Sequence, residues 1–167
     1  VLGNLARNNI GSKGYVIYNW RGQTSDRNGI DAVNLSPGFS VERAGDWAHV
    51  ENSVINTFVI DGQQGEDSAL SASPTGIVNI RVPPNDTTVR HLTVFSTTNR
   101  DNAAHKNTIT LTPAGASTPK AQYTVDEPEN GLQNHIFQFQ FTGDVTLTFE
   151  RTGPSPRDAQ LQAILLD

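Results

Sequence analysis

Three stretches carry residues suited to recognition chemistry in places where a buried side chain is out of place. In YNWRGQTSDRNGID, Tyr18–Asp31, a strand-like opening runs into Trp20, followed at once by Arg21, Gly22, Gln23 and a string of turn residues. In GDWAHVEN, Trp47 stands between Asp46 and His49, with Glu51 just beyond; these are the only two Trp residues in the chain. A ring that presents an apolar C–H face and a rim of hydroxyls, as a pyranose does, needs a flat aromatic surface flanked by planar polar groups. Trp20 with Arg21, Gln23 and Asp26 supplies that mixture, as does Trp47 with Asp46, His49 and Glu51. The third stretch, STTNRDNAAHKN, offers Asn99, Arg100, Asp101, His105 and Lys106 without any hydrophobe larger than Ala. Each has a plainer reading: Trp47 as a plug for one end of a sandwich, the polar stretch as a solvated connection.

Other chemistries find less support. SDRNGID places Asp26, Asn28 and Asp31 on a Gly-containing turn, oxygens that a structural calcium ion would accept, although ordinary turn chemistry explains the same residues. The four His residues (His49, His91, His105, His135) lie far apart, with none of the short spacings of a metal site. No G-x-S-x-G elbow is present, and DEPEN, with Glu127 and Glu129, reads as a solvated turn rather than a glycosidase carboxylate pair. No catalytic residue is assigned and no cofactor is required; a structural calcium ion is the one candidate.

The elements that must position these residues are strands. Alternation of apolar and polar residues recurs along the chain in GYVIYNW, FSVERAG, VINTFVI, IVNIRV, RHLTVFST, NTITLTP and AQYTV, while apolar residues at helical spacing are almost absent. In HIFQFQFTGDVTLTFER, Phe137, Phe139 and Phe141 share one face; after Gly143 and Asp144, Val145, Leu147 and Phe149 share another. The pair is expected to form an antiparallel hairpin. The closing AQLQAILLD is apolar on both faces and is expected to be a central strand. Turn clusters such as SPG, PPND, PAGASTP and TGPSPRD separate the strands, and a short helix in DGQQGEDSALSAS is the one alternative to strand. The fold class is all-β, a two-sheet antiparallel β-sandwich of jelly-roll type, and 1–167 forms a single domain.

Composition narrows the partners. The net charge is −5, and nine Arg and three Lys are scattered rather than gathered in a basic stripe, which argues against nucleic acid. No run of about 18 apolar residues exists to span a membrane. Without Cys there is neither a disulfide framework nor a Cys-based zinc site. The chain begins at Val1 with no visible signal peptide, and reads as an excised or processed piece.

With the strands laid out, the order of features resembles the jelly-roll carbohydrate-binding modules appended to bacterial carbohydrate-active enzymes. The pieces that carry the likeness are GYVIYNW, DAVNLSPGFSVERAGDWAHV, RHLTVFSTTNRDNAAHKNTITL and HIFQFQFTGDVTLTFERTGPSPRDAQLQAILLD. The resemblance implies a secreted, extracellular bacterial protein with an antiparallel sandwich and often a structural calcium ion. It also implies an attached catalytic domain, held near a polysaccharide or oligosaccharide bound on a sheet face or at loops along one edge. WRGQTSDRNGID looks longer than the corresponding connection in such modules, which favours the loops. The function expected is therefore non-catalytic polysaccharide binding through Trp20, Arg21, Asp46, Trp47, His49, Asn99, Arg100, Asp101 and His105. The alternative is a structural or adhesive β-sandwich in which Trp20 anchors a protein contact.

Overall fold

The computed structural model describes residues 3–4, 11–21, 30–51, 58–60, 63–64, 68–97, 105–127, 134–152 and 160–167. The alternating segments become β1 (Gly3–Asn4), β2 (Gly14–Arg21), β3 (Ile30–Leu35), β4 (Ser40–Glu51), β5 (Phe58–Ile60), β6 (Gln63–Gln64) and β7 (Ser68–Arg81). They continue as β8 (Arg90–Thr97), β9 (His105–Pro113), β10 (Ala121–Glu127), β11 (Asn134–Phe141), β12 (Val145–Arg151) and β13 (Gln160–Leu166). Where a helix was the alternative, Gln63–Gln64 and Ser68 onward are strand. Among the described residues there is no helix.

Two antiparallel five-stranded sheets form the sandwich, one ordered β4-β7-β12-β9-β10 and the other β3-β2-β13-β8-β11. They are joined where Leu70 and Ser71 of β7 pair with Leu161 and Gln160 of β13. A small third sheet, β1-β5-β6, pairs β1 with β5 in parallel. The alternation expected of β11 and β12 holds: Phe139, Phe141, Val145, Leu147 and Phe149 are all buried. Their pairing does not. Among the described residues β11 pairs with β8 alone, and β12 lies between β7 and β9, so Gly143 (φ +70°) and Asp144 carry the chain from one sheet to the other rather than closing a hairpin. Alternation defines which face a strand buries, not which strand lies beside it, and both strands still aim their apolar faces at the same core.

That core joins Val78, Ile80 and Leu147 of one sheet to Val94, Phe141 and Ile164 of the other, all within 1% of complete burial. Burying each such side chain contributes about 1.5–3 kcal/mol. As expected, β13 is central, with every residue from Leu161 to Leu166 buried. A second cluster, Ile17, Phe95, Ala163 and Leu165, lies on the outer face of its sheet and is also buried, and a Cβ added at Gly11 would lie 3.5 Å from the Leu165 Cβ. Tyr123, in the middle of β10, is 40% exposed and stacks on Phe137 with ring centroids 5.0 Å apart. It donates to the Gln138 carbonyl at 3.2 Å and so ties β10 to β11 across the edge of the sandwich.

Tyr18, on the core face of β2, is 2% exposed, and its hydroxyl has no hydrogen-bond partner among the described residues. Burial pushes its phenol well above the ordinary value of 10.0; nearby Arg43 lowers it and Asp31 raises it by smaller amounts. The unfolded chain therefore releases the Tyr18 proton near pH 10 while the folded chain holds it, so the unfolded state gains and stability falls as pH rises above 10. Below that pH the group has no linkage effect. Tyr18→Phe removes a buried hydroxyl left without a partner, and is expected to raise urea stability by about 1–3 kcal/mol at neutral pH. It should also flatten the alkaline loss. A variant less stable than the parent at pH 7 would show that the hydroxyl is satisfied.

Candidate functional site

Strand direction gathers the candidate residues before any side chain is considered. At one end of the sandwich the paired termini are Arg21 with Ile30, Glu51 with Ser68, and His105 with Glu127. Thr97 meets both Asn134 and Gln160 at the same end. Five connections leave from and return to this end: 22–29, 52–67, 98–104, 128–133 and 152–159. At the opposite end Gly14 pairs with Leu35, Ser40 with Arg81, and Phe141 with Arg90, and the chain turns through 36–39, 82–89, 114–120 and 142–144.

Trp20 and Arg21 close β2 at the first end, beyond a register shift that follows Ile17, and His105 opens β9 there. Asp46 and His49 lie in the half of β4 that runs toward the same end, His49 opposite Leu70. The side chains of these five residues lie outside the described set, as do Asn99, Arg100, Asp101, Asp26 and Asn28 altogether. The topology thus brings together the strand ends that flank all three sequence stretches.

Trp47 is described in full, and its geometry is that of the plug. Its indole Nε1 donates to the Ala44 carbonyl at 2.9 Å and lies 3.3 Å from the Ile77 carbonyl, which occupies the one polar atom the ring has. The ring meets Phe149 edge-on at 5.5 Å and covers Gly76, where an added Cβ would sit 2.6 Å from Cη2. The chain reaches this position through Gly45, at φ +80°, where the β4–β7 register shifts before Trp47. A β-bulge here re-aims the side chain over the hole that Gly76 leaves.

Of the three calcium candidates only Asp31 is described, and its Oδ2 lies 3.1 Å from Arg43 Nη2. A calcium ion bound with Asp26 and Asn28 would share that carboxylate with a guanidinium. Arg43 in turn sits over the Tyr18 ring, 5.4 Å from its centroid, so that Arg43 links β4 to β2 and β3 across the open edge. The interior also becomes polar toward this end. Asn107, two residues into β9, is 2% exposed, with no partner for Oδ1 among the described residues; Gln162, two residues into β13, is buried equally deeply.

None of Arg43, Tyr18 or Asn107 was selected from the sequence as a site residue, yet a signal was present. Arg43 shares strand parity with Val41, Tyr18 with Val16, and Asn107 with Ile109 and Leu111. A polar group at an apolar position of the alternation marks an interior that needs a partner.

If Trp47 serves packing, Gly76→Ala should cost about 1–3 kcal/mol by overfilling the site beneath the ring. Trp47→Ala should cost about 3 kcal/mol, measured by urea denaturation. Unchanged stability in Trp47→Ala would remove the plug assignment.

No family model matches the chain, and no curated protein matches its sequence. Among solved structures, an exo-β-1,3-galactanase from Phanerochaete chrysosporium, crystallised with β-1,3-galactotriose, is 17% identical with a TM-score of 0.41. The match covers 83% of this chain and 31% of the galactanase, so the chain spans about a third of that protein's length. A family 35 carbohydrate-binding module from Cellvibrio japonicus is 12% identical over 91% of each chain, with a TM-score of 0.43. A family 6 module of a Cellvibrio mixtus lichenase, in complex with cellotriose, is 9% identical over 93% of this chain and 96% of the module, with a TM-score of 0.40.

Proposed function

We propose that this chain is a non-catalytic polysaccharide-binding domain whose ligand lies across the end of the sandwich marked by Trp20, Arg21 and His105. The observation that carries the reading is the convergence of strand ends: the tryptophan of β2 and the polar stretch between β8 and β9 are rooted at the same end. Trp20 would supply the stacking surface, and Asp46, His49, Asn99, Arg100, Asp101 and His105 the hydrogen bonds to ring hydroxyls. Trp47, with its indole nitrogen held by main-chain carbonyls, would serve this reading as packing within β4.

Stacking on one aromatic ring and a few hydrogen bonds to hydroxyls must offset desolvation and ordering, so affinity for a single chain is modest. The reading therefore includes an attached catalytic domain, in a secreted bacterial protein, for which the domain raises the effective concentration of substrate. A structural calcium ion at Asp26, Asn28 and Asp31 belongs to the same proposal. Its signature would be a melting temperature raised by calcium and lowered by chelation.

Native gels containing neutral, uronic or sulfated polysaccharides test the reading directly. One polymer is expected to retard the domain, and Trp20→Ala is expected to abolish the retardation while leaving the denaturation curve unchanged. Retardation that persists in the variant would remove Trp20 from the site. No retardation by any polymer would favour the adhesive alternative, with Trp20 anchoring a protein contact.

A further inference from the structure

The opposite end of the sandwich carries a groove that the proposed binding end does not use. A cleft of about 570 Å³ opens between the turns at 36–39, 82–89 and 142–144, and a second of about 260 Å³ continues it onto the outer face of β7 and β12. Arg81 and Asp144 line both. The larger volume lies within the range of ligand-binding clefts.

The walls are fixed before any ligand arrives. Asp86 accepts from the Thr88 amide at 2.9 Å and holds Arg90 at 2.6 Å; hydrogen bonds from Thr88, then Arg90, keep its carboxyl charged down to a pKa of about 2. Asp144 accepts the Val82 amide on Oδ1 at 2.9 Å, and its carbonyl accepts from the Ala114 amide at 2.9 Å. Gly38 (φ +85°) lies against the Pro83 ring, where an added Cβ would be 3.0 Å from Cγ. Preorganised walls lower the ordering cost of binding.

What remains available is a balanced set of donors and acceptors. Arg43 and Arg90 each hold a carboxylate, whereas the exposed Arg81 makes no ion pair among the described residues. Asp144 makes none either, and its Oδ2 is left to accept. Asn79 accepts from Thr146 Oγ1 at 2.9 Å, so its amide N–H groups are left to donate. Asp86 is neutralised by Arg90, so the groove is left with one positive and one negative group, Arg81 and Asp144, in its lining. An anion would meet Asp144 and a cation would meet Arg81. A hydroxyl both donates and accepts, and neighbouring hydroxyls on one ring match both groups, while Pro83 and Pro84 present C–H surface to the ring.

We propose that this groove is a second saccharide subsite, specific for a neutral, hydroxyl-rich glycan and independent of the Trp20 end. The test is an amide NMR titration of the parent chain and of Trp20→Ala with xylotriose, cellotriose and galactotriose at millimolar concentration. At least one is expected to give saturable shifts at Val82, Asn85, Asp144 and Thr146 in both proteins, and Arg81→Ala is expected to weaken that binding about tenfold, the size of a lost charged hydrogen bond. Arg81 is exposed, so the variant should keep the parent's spectral dispersion. Absence of saturable shifts at these amides with every neutral trisaccharide would overturn the proposal. So would equal binding by Arg81→Ala, or stronger binding of a uronic or sulfated trisaccharide. Because the reporting amides lie at the far end from Trp20, failure here and failure of the Trp20 site give different spectra.

Discussion

Strand β13 is the constraint on which the rest of the molecule depends. Leu161, Ile164 and Leu166 enter the core between the sheets, while Ala163 and Leu165 enter the cluster on the outer face. The strand is hydrogen-bonded to β2 and β8 on its two sides and, at Gln160 and Leu161, to β7 of the other sheet. Strict alternation would send Leu161 and Ile164 to opposite faces. The register shift between Leu161 and Ala163 absorbs one residue, Gln162, and lets both join the same core. Because one strand anchors both sheets, the direction of its neighbours fixes which strand ends face which way, and so which connections gather at each end.

The periodicity of the sequence carried the buried faces faithfully. Phe139, Phe141, Val145, Leu147 and Phe149 occupy the core that their spacing implies, and the apolar AILL run is central. Pairing was not legible, because a strand's partner depends on chain reversal across the whole domain; the break at Gly143 and Asp144 looks the same locally whether the chain turns beside itself or crosses to the other sheet. The role of Trp47 was equally hidden. Its polar neighbours suggested a surface ring, but what decides its placement is a glycine 29 positions later in the chain, Gly76, whose missing side chain leaves room for the indole. Arg43, Tyr18 and Asn107 were legible in principle, since each breaks an apolar alternation.

The two ends of the sandwich are built by different means. At one end, main-chain and side-chain hydrogen bonds lock the turns: Asp86 on Thr88 and Arg90, Asp144 on Val82, and Asp167 on the Ser12 amide at 2.7 Å. At the other, polar groups enter the interior: Asn107 and Tyr18 are buried with oxygens that no described residue satisfies. Each such group costs about 1–3 kcal/mol relative to a satisfied one. A domain of this size has little stability to spare for polar burial without use, so the cost falls at the end where the candidate ligand residues are rooted.

The sheet faces add a further limit on where a ligand can lie. On the β13 sheet the outward residues Ile17, Phe95, Ala163 and Leu165 are already buried, so no extended polymer can lie against them. The outer face of the other sheet carries Thr110, Thr112, Thr146 and Thr148 in register across β9 and β12, a polar surface with neither aromatic ring nor charge at those four positions. Threonine hydroxyls can hydrogen-bond a passing glycan but offer no flat ring to hold it. Both proposed subsites accordingly call on residue types which those four positions lack: Trp20, at the end of β2, and the separately charged Arg81 and Asp144 at the opposite end.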